Sequence, residues 1–130
     1  MRAMFQQPGV EAVRPEALAL VEECKAAGRA LGILTNELMD FQGREWVEAQ
    51  AWFPDFPVLV DSSELGIRKP DPRPYLLSAE LLGLAPEEIV FIDDNPSYVE
   101  GGRAVGMHSI LLDVLDPAAA FDAARVELGL

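Results

Sequence analysis

Hydrophobic positions in this chain fall into two alternating patterns. One repeats every three to four residues, as on the buried face of a helix. The other is a short unbroken apolar run, as in a strand covered on both sides. Residues 15–27 carry the first pattern, from Pro15 to a stop at Gly28, with Leu18, Val21 and Cys24 on one face and Leu20 beside them. Ala30-Leu31-Gly32-Ile33-Leu34 is a strand that ends at Thr35-Asn36. A helical stretch with a poor apolar period follows over residues 37–52, until Pro54 and Pro57 break the chain. Val58-Leu59-Val60 reads as another short strand.

The second half repeats the alternation with clearer punctuation. Asp71-Pro72 is a cap followed by a first-turn proline, and the helix it opens carries Tyr75, Leu76, Ala79 and Leu82 before Gly83 closes it. Ile89-Val90-Phe91-Ile92 is a buried strand running into Asp93-Asp94-Asn95-Pro96. Tyr98, Val99, Gly102 and Val105 mark the next helix, which Gly106 ends. Ser109-Ile110-Leu111-Leu112 is a strand, and Asp116-Pro117 caps a last helix with Phe121, Ala124 and Leu128 on one face. Such alternation predicts an α/β fold: a three-layer, Rossmann-like parallel sheet with helices on both faces and right-handed crossovers. In these sheets polar chemistry gathers where strands end and helices begin. Thr35-Asn36 and Asp93-Asp94 occupy such places.

Composition narrows the partners. The 130 residues suit one domain, and half of them are hydrophobic, enough for a core. The net charge is −12, the pI is about 4.3, and the basic residues are scattered. Nucleic acid and an anionic membrane surface both require clustered Lys and Arg, so neither is expected as a partner. An anionic substrate would need a local cation, either a metal or a placed Lys. The single cysteine, Cys24, excludes an intrachain disulfide and a thiolate-metal cluster, and reads as a small buried hydrophobe. No apolar run is long enough to span a bilayer and residues 1–10 hold no signal-peptide segment, so a cytoplasmic protein is the default expectation.

Three places carry candidate chemistry. Asp93 and Asp94 are adjacent carboxylates at the mouth of a buried strand, where they repel each other unless a cation pairs with them. A hard cation such as Mg2+ needs only one or two carboxylates and keeps its waters. The competing reading is that Asp94 or Asn95 caps the helix at Pro96, and on spacing alone the two stand level. Thr35-Asn36 offers a hydroxyl, an amide and backbone N–H groups for a phosphate or carboxylate, with capping again the simpler account. Lys69 sits in a loop stiffened by Pro70 and Pro72 and can act as a point charge for an oxyanion. The sequence does not separate it from Arg68.

In combination these segments resemble the haloacid dehalogenase superfamily. Ile33-Leu34-Thr35-Asn36 resembles its second motif and Gly66-Ile67-Arg68-Lys69-Pro70-Asp71-Pro72-Arg73-Pro74-Tyr75 its third. Ile89-Val90-Phe91-Ile92-Asp93-Asp94-Asn95 resembles the fourth, and Val99-Glu100-Gly101-Gly102-Arg103-Ala104-Val105-Gly106-Met107 is similar to the helix that follows it. The wording is nearest the phosphatase-like amino-terminal domains of soluble epoxide hydrolases and their stand-alone bacterial relatives. The resemblance implies a Mg2+-dependent hydrolase of small phosphate monoesters. Thr35 and Asn36 would bind the transferring phosphoryl group, and Lys69 would neutralise nucleophile and phosphate. Asp94 would ligate Mg2+ directly, with Asp93 beside it or acting through water. The Asp pair leans away from the metal-free dehalogenases.

One motif of the family is missing. Its first motif is a strand ending in Asp-x-Asp, whose first Asp is the nucleophile, followed by a helical cap. The 130 residues contain no Asp-x-Asp at all. Phe5-Gln6-Gln7-Pro8-Gly9 resembles the tail of a cap instead. The expectation is therefore a carboxy-terminal part of the core domain over residues 1–130, with the central first strand, the nucleophile and the cap absent. The chain alone should be inactive, and the alternative is a non-catalytic remnant that acts as a binding or regulatory module. The missing segment could lie upstream of a misplaced start codon, lie on another chain, or be lost. An empty central slot would leave two apolar strands unpaired, so marginal stability and self-association are also expected.

Overall fold

The computed structural model describes residues 3–6, 15–36 and 43–130. Five parallel strands form one sheet: β1 (Ala3–Gln6), β2 (Ala30–Thr35), β3 (Val58–Asp61), β4 (Ile89–Asp93) and β5 (His108–Leu111), in the order β3-β2-β1-β4-β5. The helices are α1 (Pro15–Ala26), α2 (Arg44–Glu48), α3 (Ser62–Leu65), α4 (Pro72–Leu82), α5 (Pro96–Ala104) and α6 (Pro117–Leu128). The predicted α/β alternation is thus present: β2 to β5 and α1, α4, α5 and α6 lie within a residue or two of their expected bounds, whereas β1 and α3 were not expected.

Side chains of β2 and β4 alternate between two cores, as the twofold strand period requires. Leu31, Ile33, Val90 and Ile92 face α1 and α6, meeting Leu20, Cys24, Phe121 and Leu128. Leu34, Ile89 and Phe91 face the other way, meeting Tyr75 and Ala79 of α4. Both faces are therefore covered, and the continuous apolar runs are explained.

The central slot departs from the expectation. β1 lies between β2 and β4, pairing Ala3 with Ala30 and with Ile89, and Gln6 with Ile33 and with Ile92. Residues 5 and 6, expected in a cap tail, belong to this strand. The slot is filled, so the reason given for unpaired central strands and for association there falls away. What the chain lacks is the Asp-x-Asp, not the strand's place in the sheet. The rest of that proposed cap tail, residues 7–9, and the first part of the expected helical stretch, residues 37–42, lie outside the described residues. Of that stretch the described part holds only α2.

Smaller differences concern caps and faces. Asp71 caps α4 by accepting from the Arg73 backbone N–H, and Gly83 ends it at φ 70°. Asp116 stands at the start of α6 but makes no capping hydrogen bond with its side chain. Leu76, expected on the buried face of α4, is 47% exposed. Ser78 is buried in that helix because its hydroxyl donates to the Pro74 carbonyl, which satisfies it without water.

Cys24 is fully enclosed, as expected, and burial pushes its thiol up to about 11. A thiolate is thus scarce at neutral pH and screened from reagents. We expect an aromatic disulfide to label the native chain only as fast as it opens, and at once in denaturant. Labelling of the native chain at the rate of a free peptide thiol would contradict this packing.

Candidate active site

The carboxyl ends of β2 and β4 and the loop before α4 meet at one edge of the sheet. Thr35 ends β2 and is buried, as is Asn36 after it. Asp93 ends β4 on the same sheet face as Phe91, and it too is buried. Lys69 reaches this edge from the loop. Its ammonium donates to Asp93 Oδ2 at 2.7 Å and to the Leu34 carbonyl at 3.3 Å. Its backbone N–H donates to Asn36 Oδ1 at 3.0 Å. The loop is therefore tied to the ends of both strands by one residue, across a cis Lys69-Pro70 peptide bond.

These contacts bear on two ambiguities of the sequence. Lys69 lies in the buried pair while Arg68 is exposed. Asn95 is the cap of α5, accepting from the Ser97 N–H at 2.9 Å. Asp93 Oδ1 accepts the Asn95 N–H at 3.0 Å, so both its oxygens are engaged. Asp94 is exposed next to it. Contacts therefore link Asn36, Lys69, Asp93 and Asp94, and Thr35 ends β2 beside them. Asp61 also ends a strand here, in register with Thr35. Asp71 does not belong to the group; it caps α4 and pairs with Arg73.

Electrostatics follow from burial. Removal from water holds the Lys69 ammonium below its ordinary value, opposed by the attraction of Asp93 and, more weakly, Asp94. Burial holds the Asp93 carboxyl above its ordinary value, opposed by Lys69 and by the Asn95 N–H. A close contact from Asp94 pushes Asp93 further up. The three groups sum to about −1 when all are ionised, on a chain already at −12. An anion is not attracted to that edge unless a cation reverses the field.

Sequence reading missed the aromatic wall around Lys69. The Tyr98 ring centroid lies 4.7 Å from the ammonium and that of Phe91 5.5 Å. Both had been read as apolar packing positions. The available signal was that Tyr98 falls in the first turn of the helix that opens beside Asp93.

Residues 2–106 match the family of haloacid dehalogenase-like hydrolases, and this chain belongs to it. It is 35% identical over 99 residues to Phosphatase MT3486 of Mycobacterium tuberculosis, covering 76% of this chain and 46% of that protein. It is 36% identical over 112 residues to a phosphoserine phosphatase of Thermus thermophilus, covering 85% and 45%. The chain thus spans less than half the length of these relatives. A crystal structure of an uncharacterized protein from Corynebacterium glutamicum superposes with a TM-score of 0.81 at 23% identity, covering 100% of this chain and 96% of that one. That last likeness speaks for the fold alone. Among the described residues no helix is long and apolar enough to cross a membrane.

Proposed function

We propose that this edge binds the phosphoryl group of a small phosphate monoester together with Mg2+, and that the chain by itself turns such esters over negligibly. The observation that carries the reading is the buried Lys69–Asp93 pair, tied to Asn36 and flanked by exposed Asp94. Asn36 commits its carbonyl oxygen to the Lys69 N–H, which leaves its NH2 group as a donor for an anion. The Thr35 hydroxyl is the second donor in this reading. Lys69 supplies a fixed positive charge behind them.

The donor set fits a hydrated cation rather than a caged one. Among the described residues no three carboxylate, imidazole or thiolate groups gather closely enough to enclose a metal ion. Asp94 is the accessible carboxylate, with Asp93 behind it, and Mg2+ tolerates such sparse coordination. When bound, the cation supplies positive charge against the phosphate oxygens. Asp94 would hold it, while Asp93 orients Lys69.

Absence of turnover follows from the missing Asp-x-Asp. Asp61 is a poor substitute, since β3 and β4 are three strand spacings apart, about 14 Å. Asp93 has both oxygens engaged. A central strand filled without that motif also favours a second reading, a module that binds phosphate without hydrolysing it.

Calorimetry and an aryl phosphate assay test these statements together. Mg2+ alone should bind with millimolar affinity at best, and Asp94→Asn should weaken it. Orthophosphate should bind only with Mg2+ present. Aryl phosphate should not turn over above background. Phosphate binding that ignores Mg2+ would overturn the cation-coupled site; robust turnover abolished by Asp94→Ala would overturn the claim of inactivity.

A further inference from the structure

We propose that Tyr98 is a positioning residue for this site: its ring holds the Lys69 ammonium in one place against Asp93. The proposal rests on the reading that Lys69 serves an anion there, and it extends that reading to a residue outside the quoted motifs.

A lysine is a compact charge on a flexible four-carbon stem, and it stays in one place only if enclosed. Asp93 Oδ2 and the Leu34 carbonyl both accept from the ammonium here. The remaining enclosure includes two ring faces within the range at which a ring quadrupole attracts a cation. Phe91 is a strand residue with no exposure, so its ring is fixed by the core. Tyr98 is only half-buried and needs other restraints.

The fold supplies them. The Tyr75 hydroxyl donates to the Tyr98 carbonyl at 2.7 Å, and Tyr75 itself packs edge-on against Phe91 with centroids 5.5 Å apart. The Tyr98 N–H donates to the Asn95 carbonyl at the capped start of α5. Gly101, on the same helix, allows α5 to lie close to this group. A Cβ added there would meet the Tyr75 hydroxyl at 2.6 Å and Pro70 Cβ at 3.0 Å. The helix is thus pressed against both the ring that holds Tyr98 and the loop that carries Lys69.

A plain packing role predicts that any apolar residue of similar size would serve at position 98. A positioning role predicts that a ring is required. The chain has only two lysines, Lys25 and Lys69, so 13C-lysine labelling gives two sets of signals, which Lys69→Met assigns. We expect the Lys69 ε-methylene protons upfield of those of exposed Lys25, as a group over a ring face must be. Tyr98→Phe should keep that shift. Tyr98→Leu should move it towards Lys25, and orthophosphate binding with Mg2+ should weaken about 2- to 30-fold. Tyr98→Met serves as the non-aromatic variant if the leucine chain fails to fold. Unchanged Lys69 signals in a folded Leu or Met variant would overturn the proposal. If the wild-type chain shows the ring shift but binds no orthophosphate with Mg2+, the anion-site reading fails while the positioning of Lys69 stands.

Discussion

Replacing Lys69 with methionine should destabilise the chain by about 3–5 kcal/mol, because it leaves Asp93 buried without a counter-charge. Both side chains are fully enclosed and 2.7 Å apart. The Asn95 N–H would remain on Asp93 Oδ1, but Oδ2 would lose its charged donor. For a domain of this size the melting temperature should fall by roughly 10–20 °C. The double variant Lys69→Met, Asp93→Leu should recover most of the loss, since an apolar pair of similar volume carries no desolvation cost. That recovery is what marks a pair retained for its charge rather than for stability. A single variant that melts within a degree or two of wild type would show that the pair is not enclosed as described.

Deleting residues 1–6 should have a still larger effect. β1 pairs along both of its edges, so its removal leaves β2 and β4 about two strand spacings apart, near 10 Å, with apolar faces on both sides of the sheet. The expected outcome is loss of the cooperative thermal transition and concentration-dependent association through the uncovered strands. Circular dichroism melting and sedimentation measure the two effects separately. Phe5→Pro is the milder test, since proline removes a donor from a strand paired on both sides. If the shortened chain melts like the intact one and stays monomeric, Ala3–Gln6 is not part of the stable sheet.

The same four residues mark where sequence reasoning stopped. Ile89-Val90-Phe91-Ile92 could be read as a strand because it is a continuous apolar run closed by acidic and turn residues. Ala3-Met4-Phe5-Gln6 holds only three apolar residues and no motif at its end. Its strand character comes from neighbours on both sides, a tertiary effect that local propensity does not carry. Helix ends were legible because Asp71, Pro72 and Gly83 act locally, through a side-chain hydrogen bond, a fixed φ and a left-handed backbone. The candidate residues were legible as a set, since motif order placed Thr35, Asn36, Lys69, Asp93 and Asp94 at strand ends and loops. Their division of labour was not. Burial separates Lys69 from exposed Arg68, and only the geometry of α5 showed Asn95 as the cap and Tyr98 beside the ammonium.

The position of β1 also sets the order in which the chain can complete itself. Its partner on one side, β2, ends at residue 35, so that pairing is open to a nascent chain early in synthesis. The other edge must wait for β4, which ends at residue 93. Until then the β1–β2–β3 half lacks the strand that pairs with the other edge of β1. Closing so long a loop is slow compared with local helix formation, and the open edge invites pairing between neighbouring chains during that interval. The step most exposed to misassembly is therefore the arrival of the strand that carries Asp93, the same event that brings Lys69 the carboxylate of its ion pair.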